Sequence, residues 1–234
     1  MNKIKKILIL GGGQAAAYAA KEIRLIDKNS DVTIISDEKY LPYEKPPLSK
    51  DYVLDKVAFD DLLFFSENFY KENNIKFKGS TKITKVDFDN KKISCSLNTY
   101  QYDRLLIATG CSNRHLKING EIILPEENII YLRSFEESNN LKNKINKANN
   151  ITIIGGGFIG LEIASSALQK GKNVTILEKG EQLMGRVIPK QIASLILEKH
   201  ESEGAKINLN TQIKNIKKHN KNFKIYLNNN QILT

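Results

Sequence analysis

Tryptophan is absent from this 234-residue chain, and methionine, cysteine and histidine are nearly so, with two, two and three residues. The two cysteines, Cys95 and Cys111, form no C-x-x-C pair, which excludes a disulfide framework and a thiolate metal site. His115, His200 and His219 have no partners at metal-ligand spacing, so surface or loop positions are expected for all three. Also lacking is an apolar run of the roughly 20 residues that a membrane helix needs. The N-terminus, MNKIKKILIL, imitates a signal peptide, but Gly11 stops its apolar run early and it reads as the first core strand. With 41% hydrophobic and 26% charged residues, the balance is that of a soluble globular protein, and no membrane partner and a cytoplasmic location are expected.

Acid is scarcer than base: 26 carboxylates against 36 lysines and arginines give a net charge of +10. Such a balance raises nucleic acid as a partner. No nucleic acid is expected, because the lysines are scattered among asparagine and isoleucine with no basic stripe and no run of stacking aromatics. A positive surface that steers an acidic protein partner remains open.

The most informative stretch that is present is Ile151 to Glu178, which reads as strand, tight turn, helix, strand. Gly155, Gly157 and Gly160 supply G-x-G-x-x-G spacing: the first permits the turn, the second lets backbone approach a pyrophosphate, and the third lets the helix pack on the strand. The helix then points unpaired N–H groups and a positive dipole end at the phosphates. Glu178 ends the second strand, about 20 residues past the glycines, where a carboxylate can accept from both hydroxyls of an adenosine ribose. A 2′-phosphate there would be repelled, so NADH is expected over NADPH, with Lys179 offsetting part of the effect. Lys6 to Ser36 repeats the pattern with Gly11, Gly13 and Ala16. A single glycine triad is also what a glycine-rich turn in any α/β protein provides; two, each between strand and helix, imply two dinucleotides.

Between and after these units the pattern is coarser. Pro46 and Pro47 are expected to forbid helix and hold an extended loop. Phe59 to Asn73 is expected to be helical, and Ile75–Phe77, Ile83–Val86, Lys91–Leu97 and Tyr102–Ile107 to be strands, the last leading into an Ala108-Thr109-Gly110 turn. The irregular stretch from Asn113 to Asn128 marks a domain boundary. Ile129–Leu132 reads as a strand, Phe135–Ala148 as a polar helix, and a further helix begins after Pro189. Short strands run from Ile207 to Leu233, with a turn at Asn228-Asn229-Asn230.

The segment PYEKPPLSK at Pro42 to Lys50, with YDRLLIATG at Tyr102 to Gly110 and GGGFIGLE at Gly155 to Glu162, resembles the FAD-dependent NADH:ferredoxin reductases of bacterial oxygenase systems. This is the putidaredoxin and rhodocoxin reductase type, related to the mitochondrial apoptosis-inducing flavoprotein. The resemblance implies an α/β fold of two Rossmann-like dinucleotide-binding folds, the first for FAD and the second for NADH, both incomplete at the C-terminal side. On that basis residues 1–117 form the first segment of the FAD domain and 118–234 an NADH domain without its last strand.

Carried over residue by residue, the resemblance brings Gly11, Gly13, Gln14 and Ala15 to the FAD diphosphate and Asp37 or Glu38 to its adenosine ribose. Thr109, Gly110 and Arg114 close over the same cofactor, while Gly155, Gly157, Phe158, Ile159, Gly160 and Glu178 receive NADH. Lys45 stands where the family has Arg, and an ammonium cannot make a guanidinium's planar paired bonds. Lys50 and Glu162 match an ion pair beside the flavin, and Phe158 an aromatic that swings aside for nicotinamide; these three are the catalytic candidates. Glu162 could instead serve only the helix dipole. Related disulfide reductases carry a cysteine pair after the first fold, and residues 37–54 hold no cysteine, which disfavours thiol chemistry on the flavin.

The expected activity is therefore hydride transfer from NADH to FAD, followed by single-electron transfer to an acidic [2Fe-2S] ferredoxin-like acceptor. The competing expectation is a dinucleotide-binding fragment without turnover, because the family's C-terminal part has no counterpart here. Such a chain is expected to hold FAD weakly and to need a complementing C-terminal chain.

Overall fold

The computed structural model describes residues 4–233 apart from Arg186 and Lys221, so the first three residues of the expected N-terminal strand lie outside it. The chain forms two compact units: Met1–Lys45 with Ala58–Ser112, and Pro46–Val57 with Asn113–Thr234.

The first unit begins with β1 (Lys6–Leu10), α1 (Gln14–Ile26) and β2 (Asp31–Ile35). Then come α2 (Glu67–Glu72) and strands β3 (Ile75–Lys78), β4 (Lys85–Asp87), β5 (Lys92–Ser94), β6 (Thr99–Gln101) and β7 (Arg104–Ile107). A parallel sheet has the order β3-β2-β1-β7, and β4-β5-β6 form a small antiparallel meander. The continuous apolar runs KILIL and DVTII suit strands covered on both faces. Ile9, Val32 and Ile34 meet Ala16 and Ala20 of α1 in the core, all fully buried. Arg24, 7% exposed, fastens the end of α1: its guanidinium donates to the carbonyls of Asn73, Asn74 and Ser30. A buried cation persists here because carbonyl acceptors surround it.

The second unit contains a hairpin of β8 (Lys117–Ile118) and β9 (Glu121–Ile122), then α3 (Phe135–Lys147), β10 (Asn150–Ile154), α4 (Phe158–Gln169) and β11 (Asn173–Leu177). It continues through α5 (Lys190–Ser202), β12 (Lys206–Asn208), β13 (Ile213–His219), β14 (Asn222–Leu227) and β15 (Ile232–Leu233). Its parallel sheet is β10-β11-β12, and β13-β14-β15 form an antiparallel meander. Ser134 opens α3 with a capping box, its hydroxyl accepting from Glu137 N–H while the Glu137 carboxylate accepts from Ser134 N–H.

Several local expectations are corrected. Pro46–Ser49 is a 3-10 turn, not an extended loop, because proline's fixed φ suits a first helical turn where no N–H is needed. Phe59–Asn73 is not one helix: a 3-10 turn at Asp60–Leu62 and a bridge from Leu63 to Tyr43 precede α2, which Ser66 caps at Phe69 N–H. The bridge takes the backbone that a longer helix would have used. Among the described residues, Ile129–Leu132 makes one bridge, Ile129 to Glu126, and no strand. The linear division at 117/118 also misses that Pro46–Val57 belongs with the second unit, where Val53 is fully buried with Ile145 and Ile163.

Candidate dinucleotide sites and an ion pair

The two glycine turns share one backbone device. Gly11 (φ +112°) and Gly155 (φ +103°) both lie in the region open to glycine, and their N–H groups donate at 2.8 Å to the last carbonyl of the neighbouring strand, Ile35 and Leu177. Gly13 and Gly157 are the N-caps of α1 and α4. Neither helix has a side-chain cap or an acidic residue in its first turn, in contrast to the serine-capped α2 and α3. Both N-termini thus leave backbone N–H donors for an anion. A Cβ built on Gly13 or Gly157 would meet no protein atom within 4 Å. Gln14 and Ala15 are exposed, and so are Phe158 (56%) and Ile159 (48%), large apolar side chains at the start of α4. At Gly160 a Cβ would lie 2.2 Å from the Gly155 carbonyl oxygen, so α4 packs against its own turn at glycine distance. Ala16 occupies the matching place in the first unit, fully buried.

The acids after the second strands are used differently. Glu178 accepts from the loop itself, Oε2 from Gly156 N–H and Oε1 from Gly180 N–H, each at 2.7 Å. In the first unit the corresponding position, directly after the strand, is Ser36, whose Oγ accepts from Glu38 N–H at 3.2 Å. Asp37 is exposed. Glu38 is engaged by the Tyr43 hydroxyl and by Lys45 Nζ at 2.7 Å, and the ammonium of Lys45 also lies over the Tyr43 ring. Of the residues expected to close over the first site, Thr109, Gly110 and Arg114 are exposed, and Gly110 has φ +68°. The turn that holds Thr109 and Gly110 is close to Gly11, where a Cβ would lie 2.1 Å from the Ala108 carbonyl oxygen.

Lys50 and Glu162 are brought together within the second unit, Nζ to Oε1 at 2.9 Å, with side chains 41% and 30% exposed. Glu162 lies beyond the first turn of α4 and its other oxygen accepts from Ser49 Oγ, so it has definite side-chain partners in addition to any effect on the dipole. The backbone beneath this pair is tied down by two buried serines: Ser138 of α3 donates to the Leu48 carbonyl at 2.6 Å and Ser166 of α4 to the Ser49 carbonyl at 2.9 Å. Farther along the segment, Asp55 (φ 60°) binds Lys170 at 2.7 Å and Lys142 at 3.0 Å. Hydrogen bonds from Lys170 and then Lys142 hold its carboxyl below the usual carboxylate range. Ser49, Ser138 and Ser166 were not legible as site residues; only Ser49, beside Lys50 in the motif, carried any signal.

Phe158, Leu161 and Glu162 also line a groove of about 700 Å³ with Met184, Ile196 and His200. His200 is half-buried on α5 at this groove, and burial lowers its pKa. His115 packs its ring against Tyr131, with centroids 4.8 Å apart.

Two strand–glycine-turn–helix units, each with an open helix N-terminus, give an α/β protein with two candidate dinucleotide sites. The chain belongs to the pyridine nucleotide-disulphide oxidoreductase family, whose model matches residues 5–234. It is 34% identical over 92% of its length to a rubredoxin-NAD(+) reductase of Pseudomonas putida, covering 55% of that protein. It is 32% identical over 94% of its length to the ferredoxin–NAD(+) reductase component of a 3-phenylpropionate/cinnamic acid dioxygenase from Photorhabdus laumondii, again covering 55%. Among solved structures, a covalent putidaredoxin reductase–putidaredoxin complex superposes with a TM-score of 0.93 at 26% identity, over 99% of this chain and 57% of that one. The chain spans about half the length of the curated relatives it matches.

Proposed function

We propose that this chain carries the FAD- and NADH-binding folds of an electron-transfer reductase whose acceptor is a small acidic [2Fe-2S] protein. The observation that carries the reading is the duplication of an uncapped, acid-free helix N-terminus behind a glycine turn, with space at Gly13 and Gly157 for a diphosphate. FAD, when bound, accepts hydride and releases electrons singly; the protein supplies position and electrostatics. In this reading the amides at Gly13–Ala15 and Gly157–Ile159 hold the two diphosphates. Glu178, held by the loop amides, accepts from the ribose hydroxyls and repels a 2′-phosphate. Asp37, which is exposed, or Glu38, which Tyr43 and Lys45 engage, takes the first ribose. Lys50 and Glu162 form a charge pair near the reacting rings, and Phe158 covers that face until nicotinamide displaces it. Names of the relatives support a soluble redox protein as partner: rubredoxin, ferredoxin and putidaredoxin appear in them. A cytoplasmic location belongs to the same reading. No helix among the described residues is long and apolar enough to cross a membrane.

A second reading, binding without turnover, is favoured by the edge of β10. Among the described residues that strand pairs only with β11, and Ile154 is 44% exposed, so a further strand would have an edge to pair with. An absorption spectrum of purified protein with excess FAD separates the two. A yellow protein bleached by NADH that reduces ferricyanide or a plant-type ferredoxin supports the reductase. Colourless protein that still binds NADH supports the fragment, and rescue by a separately expressed C-terminal part identifies what it needs.

A further inference from the structure

We infer that Ser49 is a positioning residue for the Lys50–Glu162 pair: its hydroxyl fixes the carboxylate in the orientation that binds Lys50. The inference deepens the reductase reading and rests on it for its functional meaning. Glu162 divides its two oxygens, Oε1 to Lys50 and Oε2 to Ser49. The hydroxyl has one proton and two acceptors in reach, Glu162 and the Pro46 carbonyl at 3.3 Å; the shorter, charge-assisted bond takes it. Ser49 is only 4% exposed, and its position is set from two helices, because Ser138 holds the preceding carbonyl and Ser166 holds its own.

The ion pair is partly open to water, with side chains 41% and 30% exposed. Half-exposed charge pairs contribute little, since water competes for both partners. A hydroxyl on a pinned backbone removes the carboxylate's rotational freedom, so Lys50 finds its acceptor already oriented. An ammonium has three donors and Glu162 takes one, leaving Lys50 held yet able to donate to a bound cofactor.

The test uses the full chain without cofactor: limited amine acetylation, read lysine by lysine by mass spectrometry. Ser49→Ala should raise labelling of Lys50 about three- to tenfold, the usual net effect of losing one hydrogen bond. Lys142 and Lys170, which hold Asp55, should stay at the wild-type level. Glu162→Gln should release Lys50 as well, and the double variant should label no more than Glu162→Gln alone, because Ser49 acts through Glu162. Unchanged Lys50 labelling in Ser49→Ala overturns the inference, as does a parallel rise at Lys142 and Lys170, which would mean that the turn has simply unfolded. An additive double variant overturns it too. If Glu162→Gln leaves Lys50 unaffected, the ion pair itself is refuted. A separate arm with FAD and NADH keeps the two ideas apart: equal flavin bleaching by wild type and Glu162→Gln defeats the reductase role of the pair while leaving the labelling result standing.

Discussion

Set side by side, the two glycine-turn units agree in backbone and differ in cover. Gly11 and Gly155 have nearly the same φ and the same hydrogen bond to the adjacent strand. Around them the sheets differ: β1 lies between β2 and β7, whereas among the described residues β10 pairs with β11 alone. Leu10 is consequently 4% exposed and its counterpart Ile154 is 44% exposed. The turn after β7 also comes against Gly11, while a Cβ at Gly155 would meet nothing within 4 Å. A glycine motif thus records a backbone requirement, and the steric requirement at each glycine is set by whichever strand lies alongside.

One methyl added to each turn should separate the two units most. Gly11→Ala meets both a positive φ and a backbone oxygen, and should destabilise the first unit by about 3–5 kcal/mol. Gly155→Ala meets the φ cost alone and should lose about 1–2 kcal/mol. Denaturant dependence of amide exchange in β1 and β10 reads the two separately; equal losses would show that the cover is irrelevant.

The next contrast is the residue directly after the second strand, Glu178 in one unit and Ser36 in the other. A 2′-phosphate about 5 Å from Glu178 would cost about 3 kcal/mol per unit charge at an effective dielectric near 20, roughly a hundredfold in affinity. Titration of the chain with NADH and NADPH should show that preference, and Glu178→Ser, which copies the first unit, should remove most of it. Comparable affinities in the wild type would dismiss Glu178 as the selector.

A smaller effect is expected from the segment that only the second unit possesses. Asp55→Asn keeps a residue tolerant of positive φ but loses the attraction to Lys170 and Lys142. Because the aspartate side chain is 54% exposed, the loss should be only about 0.5–1 kcal/mol in a urea melt.

Smallest is the acid response of His200. Its folded pKa lies below the ordinary value because burial disfavours the imidazolium, so its contribution to stability is present above the unfolded pKa and is lost as pH falls through the folded one. Glu162, Lys199 and Glu203 line the same groove, and only the difference between wild type and His200→Gln isolates the histidine. The wild type should lose more thermal stability than the variant between pH 7 and pH 5. Parallel melting curves would contradict this.

Much of the architecture was legible because the signals were local. Both glycine turns, the helices that follow them and α5 behind Pro189 fall where residue pattern places them. Phe59–Asn73 misled because its apolar and polar residues suit a helix, while a long-range bridge from Leu63 to Tyr43 interrupts it. The acids near the first turn, Asp37 and Glu38, come from the family resemblance. Register shows that Ser36, not Asp37 or Glu38, matches Glu178, and that Glu38 has partners of its own. The pairing of Lys50 with Glu162 came from motif resemblance, since nothing local relates residues so far apart.

The sequence by itself determined two strand–turn–helix units and their open helix N-termini, because glycine spacing and apolar period act over only a few residues. Tertiary structure decided the rest. It allotted Pro46–Val57 to the second unit, through Val53 in an apolar cluster and two buried serines donating to its carbonyls. It also set Ser49 against Glu162. Those outcomes depend on which distant groups satisfy one another's hydrogen bonds, and that is a property of packed elements that no short stretch of sequence contains.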